Sequence, residues 1–383
     1  MKKLCLLAFA FLIPLLNTYA TPQTSLKPEG GRVRTYFVAA DEVEWNYAPE
    51  GIDHMTGKPF SGYAKIHTEN GPHRIGTKYL KAVYREYTDD TFRTVKPRKS
   101  EEQYLGIVGP VFRAEVGDTL KVVFRNNGTH PYSMHPHGVA YEKSSEGTAY
   151  GGVPSEASGV VAPGKTHTYI WEVPERAGPR PGDPSSVVWL YHSHVDEPKD
   201  VNAGLIGAIV VTRRGMARSD GTPRDVDKEF VTLFMAYNES QSWYLTHNID
   251  TYTTDSKGVK TEDTQTFDDQ GHYMLTGSGF GDTTIKWSIN GFIFGNMPMM
   301  TMKRGEHVRW YLITIGDGFN FHTPHWHGNA VTTGGQTTDV ISISPAQMVT
   351  ADMVPDKAGI WMFHCHVSDH MAAGMMVNYE VLP

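Results

Sequence analysis

Four stretches of the chain concentrate β-branched and aromatic residues: "DTLKVVFRNN" from Asp118 to Asn127, "THTYIWEV" from Thr166 to Val173, "GAIVVTRR" from Gly207 to Arg214 and "EHVRWYLITI" from Glu306 to Ile315. Runs of this kind suit a pleated, half-buried surface and predict strands. Between them lie clusters of Gly, Pro, Asn and Asp, and no apolar period of 3.6 residues is sustained. The pattern therefore predicts an all-β chain of sandwich or barrel type with short helices only. The pattern also recurs. "RAEVGDTLKVVFRNNGTHPYSMHPHG" (Arg113 to Gly138) returns as "TMKRGEHVRWYLITIGDGFNFHTPHWHG" (Thr301 to Gly328), and "WLYHSHVDEPKDVNAGLIGAIVV" returns as "WMFHCHVSDHMAAGMMVNYEVL". The repeat predicts two homologous β domains, residues 21–217 and 218–383, joined in the polar stretch "RRGMARSDGTPRD" from Arg213 to Asp225.

The first twenty residues, "MKKLCLLAFAFLIPLLNTYA", carry two lysines, an apolar run from Leu4 to Leu16 and a small-residue end at Thr18 and Ala20. This is the pattern of a signal peptide, residues 1–20, with an apolar part too short to span a bilayer. It predicts export, periplasmic or secreted, with no membrane span in the mature chain. Removing it takes Lys2 and Lys3 from the 35 basic residues and leaves 42 acidic ones, a formal charge of −9. With no basic run longer than Arg213 and Arg214, that balance excludes nucleic acid and anionic membrane surfaces as partners. Removal also takes Cys5 and leaves Cys365 as the single cysteine. Oxidising compartments normally pair thiols, so something must protect this one.

Eight of the 18 histidines form four His-x-His pairs: His135/His137, His192/His194, His325/His327 and His364/His366, two in each repeat. Residues two apart on a strand point the same way, so each pair offers two imidazoles to one side. The eight converge wherever one domain's face meets the other's. A lone pair of this kind is usually a solvated strand edge; four at duplicated positions are not. The residue between a pair points the opposite way, so Cys365 faces its own domain's interior while His364 and His366 face out. His322 lies an odd number of residues from His325 and His327 and shares the inward side, and His370 and Met375 follow Cys365 in one loop. Two imidazoles, a thiolate and a weak thioether are the donor set of a blue copper site, and coordination shields the sulfur from oxidation. Met376 rivals Met375, but the interval from Cys365 favours Met375. At the positions matching His322, Cys365 and His370 the first domain has Tyr132, Ser193 and Pro198, and Met375 maps to Ala203 by count or to Leu205 if the "AG" pairs align. No second blue site is expected there.

Together "HPHG" at His135, "YHSHVDEPKD" at Tyr191, "HTPHWHG" at His322 and "FHCHVSDHMAAGM" at Phe363 resemble the four copper-binding motifs of multicopper oxidases. "NGPHRIGTKYLKAVYREYTDDTFRT" (Asn70 to Thr94) and "WYLTHNIDTY" (Trp243 to Tyr252) are similar to ceruloplasmin domains, and "HPHGVAYEKSSEGTA" is similar to bacterial two-domain small laccases. The resemblance implies two cupredoxin-like Greek-key domains and copper of three types in each functional unit. Type 1 copper would sit at His322, Cys365, His370 and Met375, and a type 2 ion on His135 and His325. A type 3 pair would sit on His137, His192, His194, His327, His364 and His366, making four coppers in all. It implies one-electron oxidation of a reductant, coupled through Cys365 to four-electron reduction of O2 to two waters. Glu146 falls where small laccases carry an acidic proton donor, and Tyr141 where they have a tyrosine near the cluster. In two-domain relatives the first domain of one subunit meets the second domain of the next in a ring of three, so a homotrimer is expected.

For the reductant, ceruloplasmin-like ferroxidases bind Fe(II) with acids and a histidine beside the blue copper. Here Asp282 and Asp369 keep two acids, Trp287 holds the histidine position, and Gly318 a further acid position with Asp317 adjoining. The run "GNMPMMTMK" from Gly295 to Lys303 either packs a core or binds Cu(I) through thioethers, and a phenol would need only access to His322 or His370. The alternative class, copper-containing nitrite reductase, shares the architecture but needs far fewer interface histidines than the eight present.

Overall fold

The computed structural model describes residues 31–259 and 279–383. The stretch read as a signal peptide, with Cys5, lies outside the described residues. In chain order the first half contains β1 (Val33–Asn46), a small hairpin of β2 (Ile52–Asp53) and β3 (Lys58–Pro59), helix α1 (Ala64–Thr68) and β4 (Lys78–Tyr87). There follow β5 (Phe112–Glu115), β6 (Thr119–Asn126), β7 (His135–Pro136), β8 (Thr166–Glu172), β9 (Ser186–His192), α2 (Glu197–Ala203) and β10 (Ile206–Thr212). The second half begins with β11 (Lys228–Asn238), α3 (Leu245–Tyr252), α4 (Phe280–Thr284), β12 (Ile285–Ile289), β13 (Met300–Lys303) and β14 (Val308–Ile313). It ends with β15 (Pro324–Trp326), β16 (Val331–Thr333), β17 (Gln336–Thr338), β18 (Met348–Met353), β19 (Gly359–Cys365), α5 (Ser368–Ala372) and β20 (Met376–Leu382). All four predicted strand runs are strands, and the helices are short.

The repeat in the sequence is a repeat in topology. The first half has sheets β4-β1-β6-β8 and β5-β10-β9-β7; the second has β12-β11-β14-β18, extended by β16 and β17, and β13-β20-β19-β15. Pairing senses match strand for strand: β1 is antiparallel to β4 and parallel to β6, as β11 is to β12 and β14. β10 is parallel to β5 and antiparallel to β9, as β20 is to β13 and β19.

Matched strands differ in what covers them. In β6 burial alternates, with Leu120, Val122 and Phe124 inward and Lys121 exposed, as expected for one face on a core and one toward water. Its counterpart β14 is buried at every position because β9 of the first half packs across it. There Ser186 Oγ and Tyr311 Oη are 2.7 Å apart, and Arg309 donates to Ser185 and Ser186. A second tie is a fully buried ion pair between Lys81 and Glu239, to which Tyr47 also donates. Among the described residues no helix is long and apolar enough to cross a membrane. The methionine run packs the second half's interior: Met297, Met300 and Met302 are buried and Met299 alone is exposed.

Candidate metal centres

Strand β19 carries the sulfur and its two flanking imidazoles. It pairs with β15 so that Pro324 faces Cys365 and His325 faces His364. Parity sends Cys365 into the interior, where it is 0% exposed, and leaves the His366 side chain at the surface. Cys365 Sγ lies 3.6 Å from His370 Nδ1 and 3.9 Å from His322 Nδ1, and the two nitrogens are 3.2 Å apart. Burial pushes His370 down to about 4 and His322 far below its usual value, so both rings are neutral and can offer lone pairs. His322 Nε2 lies 3.2 Å from Asn320 Oδ1, which suits a proton on Nε2 and a lone pair on Nδ1. Burial pushes the Cys365 thiol up, and amide hydrogen bonds from Thr323 and Val367 offset this only in part; a metal would displace that proton.

The fourth donor follows from the ladder. His364 pairs with Met376 across β19 and β20, so Cys365 stands opposite Met375, and its N–H donates to Met375 O at 3.1 Å. Cross-strand partners share a face. Met375, fully buried, is therefore on the sulfur's face, and its rival Met376 is on the histidine side.

Each half of the chain gathers its own four imidazoles. In the first, His135 Nδ1 meets Glu146 O at 2.7 Å and His137 Nε2 meets His192 Nε2 at 3.3 Å, with His194 stacked edge-on to His135. In the second, His325 Nδ1 meets Asp339 O at 2.8 Å and His327 Nε2 meets His364 Nε2 at 3.0 Å, with His366 beside His325. A carbonyl on Nδ1 fixes the tautomer and turns the Nε2 lone pair into the cluster. Burial, then the neighbouring His135 and His194, bring His137 down to about 4. Among the described residues no hydrogen bond, ring contact or shared donor group joins the two sets, and His327 and His366 lie open at the surface. One chain thus holds two half-sets.

The other expected site residues fall into two neighbourhoods. Tyr141 packs edge-on to His135 with ring centroids 6.0 Å apart. Burial would raise the Glu146 carboxyl, but its hydrogen bonds with Lys143 and Tyr150 outweigh this and hold it below the usual carboxylate range. Asp369, next to His370 in the chain, is exposed and Asp282 buried, yet both bear on the Tyr63 phenol, which burial and then these two acids push up to about 12. Trp287 stacks on His370 at 4.0 Å, and Asp317 caps a turn by accepting from Phe319 N–H.

The match of His370 to Pro198 is corrected by the backbone. Met375 N–H donates to His370 O, and the equivalent bond runs from Leu205 N–H to Asp200 O; Cys365 N–H to Met375 O is likewise repeated as Ser193 N–H to Leu205 O. Helix α2 has seven residues and α5 five, so counting from the sulfur position falls two residues short. Asp200 therefore stands where His370 stands, and Leu205, not Ala203, where Met375 stands. The signal was in the sequence: aligning "AG" at Ala203 with "AG" at Ala373 sets Asp200 over His370. Tyr132 does match His322, each hydrogen-bonded in both directions to one residue further on, Val161 or Ile343, in an isolated bridge.

A soft sulfur with two neutral imidazoles fits copper, and the pocket's three donors and three imidazoles of each cluster lie within 4.8 Å of one another. Residues 100–215 and residues 264–383 each match a family model described as multicopper oxidase. Ferroxidase HEPHL1 of Mus musculus is 41% identical over 92% of this chain, and hephaestin and ceruloplasmin of Homo sapiens are each 39% identical over 92% and 91%. The chain spans only 29–31% of the length of these relatives. Among solved structures, a multicopper oxidase superposes with a TM-score of 0.54 at 21% identity, covering 92% of this chain and 90% of that one. The blue copper oxidase from Nitrosomonas europaea gives 0.55 at 17%, covering 91% and 86%. The chain belongs to the multicopper oxidases, its two halves are cupredoxin-like, and its cofactor is copper.

Proposed function

We propose that the chain is an exported enzyme that takes single electrons from a small reductant, Fe(II) first among them, and delivers them to O2. The observation that carries this reading is the placement of Cys365: its sulfur is buried between His322 and His370, while the adjoining His364 and His366 belong to a separate imidazole cluster. Bound copper would supply one-electron exchange at the thiolate and reduction of O2 to water at the imidazoles. The chain's own part is the link, since the peptide bonds on either side of Cys365 join the two donor sets without a gap. His322, Cys365, His370 and Met375 would hold the type 1 ion, His135 and His325 the type 2 ion, and the remaining six imidazoles the type 3 pair.

Metal-held imidazoles have no protons to give, so an acid must. Tyr141 packs against His135, Glu146 caps it through its backbone carbonyl, and the Glu146 carboxylate, held by Lys143 and Tyr150 within electrostatic reach of His135, would take protons from solvent and pass them inward. For the reductant, Asp369 adjoins His370 in the chain and, with Asp282, bears on Tyr63; hard carboxylate oxygens of this kind suit Fe(II) over a soft ion. One of the similar proteins is a ferroxidase by name.

Domains 21–217 and 218–383 would follow a cleaved peptide, 1–20, and three subunits would close a ring in which one chain's first half-set meets the next chain's second. The exposure of His327 and His366 supports such a contact. The test is oxygen uptake with Fe(II), Cu(I) and a phenolic dye, run beside nitrite turnover and gel filtration. Fe(II) should show the largest kcat/KM in a trimer. Nitrite consumption without O2 would transfer the chain to the reductases, and an active, fully coppered monomer would remove the ring.

A further inference from the structure

The loop that carries His192 and His194 is tied down by one carboxylate. Asp200 Oδ2 accepts from Ser193 Oγ at 2.7 Å and from the Val195 and Asp196 amides at 3.0 and 3.2 Å, and Oδ1 accepts from Trp243 Nε1 at 2.8 Å. Asp200 is 0% exposed, and four donors compensate the charge. Its reach extends further. Ser193 Oγ accepts from Ser133 N–H at 3.0 Å, and Ser133 Oγ accepts from His194 N–H at 3.0 Å. One side chain thus fixes the residue between the two histidines, the two residues after them and, through Ser133, the strand leading to His135.

In the second half the matching loop has another arrangement. Thr323 N–H donates to Cys365 Sγ as Ser133 N–H does to Ser193 Oγ, but the place of Asp200 is taken by His370, an imidazole whose Nδ1 points at the sulfur. There the shared tie would be a metal.

We propose that Asp200 is a positioning residue that fixes His192 and His194 in the copper-free chain, doing for the first half-set what metal at Cys365 would do for the second. The inference rests on the reading of the histidine sets as copper ligands, so its test has one arm without copper. In the copper-free protein the Val195 and Asp196 amides should exchange hydrogen slowly, and in Asp200→Ala fast; equal rates overturn the proposal whatever the metal does. In the copper arm, Asp200→Ala should keep the blue absorption of the Cys365 site while its colourless copper loads about 10–100-fold more weakly, the usual effect of losing a group that orients ligands. Unchanged loading, or loss of blue and colourless copper in equal proportion, overturns it. Asp200→Asn with Trp243→Phe keeps an acceptor for Ser193 and the two amides and removes the opposing indole donor. It should regain most of the loading, and loading no better than Asp200→Ala counts against the proposal. If Asp200→Ala does not fold, Asp200→Ser, too short to reach the Val195 and Asp196 amides, carries the same two readouts, and no change in both overturns the proposal. A wild-type chain that takes up only blue copper would instead defeat the reading of the half-sets, leaving the exchange arm to judge Asp200.

Discussion

After β19 the chain brings an imidazole to a sulfur; after β9, with a helix two residues longer, it brings a carboxylate to a hydroxyl. The frame around the two pockets is the same down to the backbone bonds from Leu205 and Met375. What differs is how buried polar groups are satisfied, which they must be. In the first pocket Ser193, Asp200 and Trp243 satisfy one another, and the Tyr132 hydroxyl meets that of Tyr244 at 2.8 Å. In the second, His322 and His370 turn neutral nitrogens toward each other and toward a thiol, a set of donors that suits a soft metal. The two frames are equal, and four side chains set a pocket of soft and imidazole donors apart from one whose polar groups pair with one another.

The comparison breaks most visibly at the sulfur. Cys365→Ser should abolish the blue absorption and lower oxidase turnover by at least about a thousand-fold, the scale of removing an essential group, while colourless copper stays bound. The reciprocal Ser193→Cys, made in the Cys365→Ser background, should restore no blue band, because Tyr132 and Asp200 offer no imidazole; a blue double variant would show that the frame alone suffices. Both are read by visible absorption and copper content. Next in size is Glu146→Gln, which removes the acid beside His135 and should slow O2 reduction by about 10²-fold with reduction of the blue centre unchanged in stopped flow. Equal slowing of both steps would place Glu146 outside the proton route.

Much of this site was legible because it is periodic. His-x-His on a strand dictates that Cys365 and its neighbours diverge, and the buried sulfur beside the exposed His366 is what two-residue periodicity demands. The strands were legible for the same reason. Helix length was legible only from its far end: counting forward from Ser193 gave Pro198, whereas the "AG" that closes "DEPKDVNAG" sets Asp200 over His370. Nor could pattern alone reveal Trp243, which reaches Asp200 from beyond the joint, or Tyr63, which meets Asp282 and Asp369 from a segment far away in sequence. Contacts between distant segments leave no spacing to read.

Asp369, next to His370, sharpens the comparison on the substrate side, since with the two "AG" pairs aligned its counterpart in the first half is Lys199. Asp369→Asn should lower kcat/KM for Fe(II) by about ten-fold, the cost of one charge-assisted ligand, and leave a phenol's unchanged. Trp287→His, which returns a nitrogen donor beside His370, should move the Fe(II) to phenol ratio the other way. A parallel fall for both reductants in Asp369→Asn would mean that the carboxylate shapes the pocket without meeting the iron.

The smallest expected effect is the most pointed about the frame. Leu205 occupies the position of Met375, fully buried, with its N–H bonded to Asp200 and its carbonyl to Ser193. Leu205→Met restores the thioether of the blue site in the half that lacks the other three donors, and the two side chains have similar volume. Such swaps in a packed core cost less than about 1.5 kcal/mol, so the thermal midpoint should shift by only a few degrees, with copper content and spectrum unaltered. A thioether alone is too weak a donor to recruit copper to a pocket whose hydroxyl and carboxylate are already paired. A gain of one copper per chain in Leu205→Met would show that the first pocket is held closed by a single residue, and that the ties to Asp200 yield to metal.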